Sequence, residues 1–227
     1  LKYLKEEWCC NVPKLVNIFV SPKNKNFFLV DNKFLVSKLN ESANDYDVLV
    51  FACRDIENAL IPSNIKRIAS SAFSWCEKLK SVNFESDSNL SLIEKYAFSH
   101  SSIESIFIPP KVKEIEKGWF SGTKYLTKII VSNENKRFLF FNDQILFYKS
   151  QESNENFDIL VFASRNVENV IIPSFIKQIA SHAFQDCQKL QSISFSNDSE
   201  LNLISKYAFS HSTIELSTIP SNVEKIE

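Results

Sequence analysis

Sixteen residues from Ile61 to Cys76, "IPSNIKRIASSAFSWC", return as "IPSFIKQIASHAFQDC" from Ile172 to Cys187. A shift of 111 residues carries Pro62 onto Pro173, Phe73 onto Phe184 and Cys76 onto Cys187. The same shift carries Trp8 onto Trp119, "NKNF" (24–27) onto "NKRF" (135–138) and "EKYAFSHSSIE" (94–104) onto "SKYAFSHSTIE" (205–215). The whole chain of 227 residues is thus two copies of one unit, approximately 1–111 and 112–222. Self-similarity on this scale predicts a repeat architecture, in which each repeat buries its apolar face only against its neighbours.

A shorter period runs inside each unit. Ala72-Phe73 recurs as Ala97-Phe98 after 25 residues, and Trp119-Phe120 follows 22 later. Ala183-Phe184 and Ala208-Phe209 repeat the pattern. Spaced apolar triplets accompany these pairs: Ile56, Ala59, Ile61; Leu79, Val82, Phe84; Ile103, Ile106, Ile108; Leu126, Ile129, Val131. Further triplets are Val167, Val170, Ile172 and Leu190, Ile193, Phe195, with Leu15, Ile18, Val20 at one end and a weaker Ile214, Ser217, Ile219 at the other. This spacing is the signature of leucine-rich repeats. The last two apolar residues of a triplet alternate with polar ones, as in a short half-buried strand. Pro62, Pro109, Pro173 and Pro220 follow directly. Proline has no amide hydrogen, so it ends the ladder there. The Ile-x-x-Ile and Ala-Phe that come next predict a brief helical or 3₁₀ turn on the outer face. The expected fold is a right-handed α/β leucine-rich repeat solenoid forming a single domain over 1–227. Its concave face is a parallel sheet, and short helices or turns cover its convex side.

Two stretches break the short period, Ser21–Arg54 and Ser132–Arg165. Each reads as an apolar run, an Asn/Asp turn, an apolar run, a polar loop and an apolar run. They predict β-hairpins with an added strand, inserted between the repeats. The loops "KLNESANDYD" and "KSQESNENFD" are polar and are expected at the surface. The first residues align with Val112–Ile115, inside a repeat, and no end caps are evident. The expectation is therefore a piece of a longer array, with both ends cut.

The motif I-P-x-x-I-x-x-I-x-x-x-A-F-x-x-C-x-x-L-x-x-I-x-F, carried at 61–84 and 172–195, resembles the BspA-like leucine-rich repeat family. The inserted hairpins resemble that family's longer repeats, and the resemblance covers essentially the whole chain. The family's Gly after the second Ile is replaced by Ala69, Glu94, Ala180 and Ser205. That departure leaves the turn geometry open, not the fold. The resemblance implies a cell-surface or secreted protein of the adhesin or surface-antigen type, binding host surface or matrix proteins or cells.

Nothing in the chain supports catalysis. The 2 glycines cannot supply a P-loop or a dinucleotide fingerprint, and no GxSxG or HExxH is present. A net charge of −1 provides no field for nucleic acid or anionic membranes. No apolar run is long enough to cross a bilayer. The 5 cysteines form no even disulfide framework and no zinc-ligand spacing, so no cofactor or metal is expected. Cys76 and Cys187 read as small, inward and inert; Cys9-Cys10 reads as either reactive or simply exposed. His100 and His211, at matching places in "YAFSHS", read as turn residues copied with their repeat. Asn40, Asn89 and Asn197 head glycosylation-like triplets.

Binding is expected on the outward residues of the strands. One outward column reads Asn17, Asn58, Ser81, Ser105, Lys128, Asn169, Ser192, Leu216, mostly small and polar. The next reads Phe19, Leu60, Asn83, Phe107, Ile130, Ile171, Ser194, Thr218, and five of these eight are apolar. A protein partner would use Phe19, Leu60, Asn83, Phe107, Lys128, Ile130, Ile171 and Ser194, unless the inserted hairpins fold over them. An intracellular scaffold with an endogenous partner is the alternative use of the same face.

Overall fold

The computed structural model describes residues 3–5, 8–40, 45–153, 155–215 and 218–227. The chain divides into two compact units, Leu1–Thr123 and Lys124–Glu227. The boundary lies after the Trp119-Phe120 turn, beyond the sequence copy boundary, because that turn is bonded backward. The amides of Phe98 and His100 donate to the carbonyls of Trp119 and Ser121 at 2.9 Å each.

The first unit contains β1 (Phe27–Val30), β2 (Phe34–Ser37), β3 (Val48–Ala52), β4 (Asn58–Ile61) and β5 (Arg67–Ile68). Then follow β6 (Ser81–Phe84), β7 (Leu92–Ile93), β8 (Ser105–Ile108) and β9 (Glu114–Ile115). The second unit repeats the series as β10 (Lys128–Val131), β11 (Phe138–Phe141), β12 (Ile145–Tyr148), β13 (Ile159–Ala163) and β14 (Asn169–Ile172). It closes with β15 (Gln178–Ile179), β16 (Ser192–Phe195), β17 (Leu203–Ile204) and β18 (Lys225–Ile226).

Most coils of this β-solenoid have one four-residue strand and one two-residue strand, as β4 with β5, β6 with β7, β8 with β9, β14 with β15 and β16 with β17. The long strands β4, β6 and β8 pair in parallel, as do β14 and β16. Their alternation is that of the sequence: Ala59 and Ile61 are buried while Asn58 and Leu60 are exposed. The short strands form a second parallel ladder, β3-β5-β7-β9 in the first unit and β13-β15-β17-β18 in the second. The two hairpins extend this second ladder: β1 and β2, then β2 and β3, pair antiparallel, and β11, β12 and β13 do likewise. Of the eight expected triplets, the first (Leu15, Ile18, Val20) has no strand around it and packs against an N-terminal apolar cluster. The last is incomplete, since Leu216 and Ser217 lie outside the described residues, and Ile219 stays 48% exposed.

The outer arch corrects the expectation of helices. Among the described residues there is no helix. In the arch from Ala69 to Cys76, the amides of Ala72, Ser74 and Cys76 donate three residues back, to Ala69, Ser71 and Phe73. The alternate amides, of Phe73 and Trp75, donate instead to Ala97 and Ser99 of the next coil at 2.7 and 3.0 Å. A helix spends every interior amide on itself. Here half of them are needed for stacking, and left-handed residues (Ser71, φ 60°; Trp75, φ 60°) turn the chain so that they point sideways. Inside the arches runs a file of rings, fully buried except for the half-buried Phe209. Phe73 stacks on Phe98 at 5.0 Å, and Phe98 meets Phe120 at 5.3 Å. Phe184 stacks on Phe209 at 5.2 Å in the second unit. Phe-to-Ala changes at sites of this kind typically cost about 3–5 kcal/mol.

Candidate interaction surface

The outward positions of the long strands are the candidate surface. On β4, β6 and β8 these are Leu60, Asn83 and Phe107; Leu60 and Asn83 are exposed, and Phe107 is half-buried. Leu60 and Asn83 are paired across the ladder. In the second unit, Ile171 of β14 pairs with Ser194 of β16, and both are exposed. Lys128 and Ile130 are the exposed residues of β10, while Phe19 lies outside any strand. Phe19 is 94% exposed, Leu60 57%, Ile130 47% and Ile171 73%. The hairpins join the short-strand ladder, so they do not lie over these side chains. Beneath this apolar column, Asn58 Oδ1 accepts a hydrogen bond from Ser81 Oγ at 2.8 Å, and Asn169 Oδ1 accepts one from Ser192 Oγ at 2.7 Å. A polar ladder therefore borders the apolar residues in both units.

The other residues singled out in the sequence are placed elsewhere. Cys76 and Cys187 are fully buried behind the Phe file. Burial pushes the Cys76 thiol up to about 11, against the lowering influence of Arg54, and it pushes Cys187 upward too. Both are protonated and unreactive near neutrality. Cys9 is 1% exposed rather than presented at the surface, and burial raises it as well. Cys10 is half-buried, with Sγ 3.3 Å from Ser71 Oγ. His100 is exposed and stacks on Trp75 at 4.6 Å. His182 stacks on Tyr207 at 5.3 Å, and burial lowers its pKa. Among the described residues no group of three or more His, Cys, Asp or Glu could hold a metal ion. Asn89 and Asn197 are exposed; the third glycosylation-like triplet, at Asn40, runs outside the described residues.

Sequence reasoning missed two buried arginines. Arg54 Nη1 donates to the carbonyls of Ala52 and Ala72 at 3.2 and 2.9 Å and lies 3.7 Å from Cys76 Sγ, while Nη2 reaches Cys9 O at 3.2 Å. Arg165 makes the same contacts to Ala163 O, Ala183 O and Cys187 Sγ. Each guanidinium lies over a Phe ring, Phe51 at 4.3 Å and Phe162 at 4.4 Å. Their signal was present in "FACRD" and "FASRN", where a charge ends an apolar strand in both copies. Their contacts are with core carbonyls, thiols and rings, so their role is to fasten the arch.

Comparison with known proteins agrees with this architecture. The family described as BspA type Leucine rich repeat region matches residues 48–165 and 155–227, in 6 copies. No curated protein matches the sequence significantly. Among solved structures, the pneumococcal vaccine antigen PcpA is similar with a TM-score of 0.63 and 27% identity, over 76% of this chain and 47% of that one. A leucine-rich repeat protein from Eubacterium ventriosum gives a TM-score of 0.59 and 22% identity, over 76% and 50%. A leucine rich cell surface protein from Faecalibacterium prausnitzii gives 0.54 and 19%, over 74% and 61%. The matched region thus spans about half of the first of these chains. With the family match running from residue 48 to the end, over most of the sequence, this chain belongs to the BspA-type leucine-rich repeat family.

Proposed function

We propose that the chain is a non-enzymatic protein-binding module whose long-strand faces are the contact surface. It would act at the cell surface or after secretion, as an adhesin-like protein meeting host proteins or cells. One observation carries the reading: large apolar side chains, Leu60, Ile130 and Ile171, stand exposed on long strands beside polar outward residues such as Asn58, Asn83, Lys128 and Ser194. A scaffold that needed only to fold would gain nothing from apolar groups there, whereas a buried interface core gains from each of them. The likeness to an antigen of pneumococcus supports the surface location. No helix among the described residues is long and apolar enough to cross a membrane.

The alternative, an intracellular scaffold, is favoured by one feature: all five cysteines are unpaired. Antibody labelling of intact producing cells separates the two, because only a surface protein is reached without permeabilisation. The surface itself is tested with labelled protein on host cells and on a panel of matrix proteins. Ser at Leu60 and Ile171, or Ala at Phe107 and Ile130, should reduce binding about tenfold or more while leaving the melting temperature unchanged. Undiminished binding by both variants would remove the strand faces from consideration.

A further inference from the structure

Where each hairpin tip meets the corner that leads into a long strand, the surface is indented. The first-unit cleft encloses about 540 Å³ and is lined by Asp31, Lys33, Asp55, Glu57 and Asn58, among others. The second-unit cleft encloses about 380 Å³ and is lined by Asp143, Gln144, Asn166, Glu168 and Asn169, among others. These are equivalent places, related by the shift that relates the two copies. The cause is local and the same in both. The amide of Cys53 donates to Lys33 O at 2.9 Å and that of Ser164 to Gln144 O at 2.8 Å, holding the tip against the corner.

The chemistry of the lining persists while its residues change. Three carboxylates and one ammonium in the first cleft give a formal charge of −2, and two carboxylates in the second give −2 again. Lys33 and Asp55, of opposite sign, become Gln144 and Asn166 together. Within the hairpin tip the acid moves from Asp31 to Asp143, the other residue of the turn. The chain as a whole is close to neutral, at −1. Asp31, Asp55, Glu57, Asp143 and Glu168 are all exposed, and their carboxylates make no hydrogen bond or ion pair among the described residues. The neighbouring Lys78, Lys80 and Lys189 also stand exposed at the next coil's corner, but they do not line either cleft. The carboxylates are not grouped as metal ligands. What they suit is a diffuse cation on a flexible stem, such as an ammonium or guanidinium.

Each cleft adjoins the apolar column. Asn58 lines the first and Asn169 the second, and two residues along the same strand face stand Leu60 and Ile171. That step is about 6.6 Å along a strand. We propose that each unit docks a partner segment that places a basic side chain in the acidic corner cleft and an apolar side chain on Leu60 or Ile171. The partner surface is thus basic and apolar in alternation, and attraction to it weakens with added salt. This rests on the long-strand faces being the contact surface.

The test uses the full chain and synthetic hexapeptides X-Ser-Leu-Ser-X-Ser, where X is Lys (Lys/Leu), Ser (Ser/Leu) or Glu (Glu/Leu), so that X and Leu share one face of an extended segment, with binding followed by fluorescence anisotropy. The Lys/Leu peptide should bind about tenfold more tightly than Ser/Leu, and Glu/Leu should be weakest. In the variant D31N/D55N/E57Q/D143N/E168Q the Lys/Leu advantage should disappear and Ser/Leu binding should be unchanged. In L60S/I171S both should weaken. All seven positions are exposed, and an unchanged melting temperature confirms the fold. A Lys/Leu advantage that survives removal of the five carboxylates, or no binding of the Lys/Leu peptide even at millimolar concentration, overturns the acidic cleft. In the first case, Ser/Leu binding that still depends on Leu60 and Ile171 leaves the strand-face reading intact. Binding that ignores L60S/I171S overturns the strand-face reading and this proposal with it.

Discussion

At the scale of single residues, the arches depend on two left-handed positions four residues apart. Ser71 and Trp75, Tyr96 and His100, Gly118 and Gly122, His182 and Asp186, and Tyr207 and His211 all have φ between 55° and 71°. A non-glycine residue costs roughly 1–2 kcal/mol in this conformation, and most coils carry that cost because the sideways amides repay it. The family's glycine after the second Ile is dispensable for the same reason: Ala69, Glu94, Ala180 and Ser205 are not left-handed, so nothing there requires glycine. Gly122 is different. A Cβ on it would lie 2.5 Å from Nδ1 of His100, whose ring is held by its stack on Trp75. Gly122→Ala should therefore destabilise the protein by about 2 kcal/mol, from backbone strain and the displaced ring together. In G122A/H100A the ring clash is gone and only the strain remains, so the double variant should lose less than the two single variants summed. Chemical denaturation of all four proteins measures the coupling.

At the scale of elements, the hairpins are set by their turns. Asp31 and Asn32 have φ of 50° and 54°, and the amide of Lys33 donates to Val30 O at 2.9 Å. Asn142 and Asp143 repeat this at 51° and 55°, with Gln144 donating to Phe141 O at 3.0 Å. Both are type I′ turns, whose twist matches that of the strands they join. Asn and Asp tolerate this conformation better than other residues with side chains. Asn32→Gly should keep or slightly raise stability, and Asn32→Val should lower it by about 1–2 kcal/mol, because a β-branched side chain resists positive φ. Thermal melts of the two variants should move in opposite directions or, at the least, differ in that order. The hairpin was legible because its turn dipeptide separates two short apolar runs; its partner was not. Joining the short-strand ladder requires β3 to lie beside β5, and sequence pattern says nothing of which ladder a strand will enter.

At the scale of the whole molecule, the chain should give a circular-dichroism spectrum of strand and turn type without a helical double minimum. A helical spectrum would contradict the arches described above. The sequence led to a helix there because Ile at i and i+3 with Ala-Phe behind it fits one turn of a helix as well as it fits an arch. Hydrophobic period cannot tell the two apart over so few residues. The acidic clefts were hidden for a related reason. Asp31 and Glu57 are far apart in the sequence, and only the docking of hairpin tip on coil corner sets them around one indentation. The apolar column, by contrast, was readable directly, since alternation along a strand assigns each side chain to a face.

The repeat itself, its two-level period, the proline stops and the file of Phe rings were determined by sequence alone, because each follows from local spacing and from the need to bury one apolar face per coil. Tertiary structure decided the rest. It settled which amides close turns and which tie coil to coil, which ladder receives the hairpins, and that Arg54 and Arg165 end in the core. These outcomes depend on stacking between segments roughly one coil or more apart. The competition there is between hydrogen-bond partners of nearly equal local merit, and only the stacked neighbour breaks the tie.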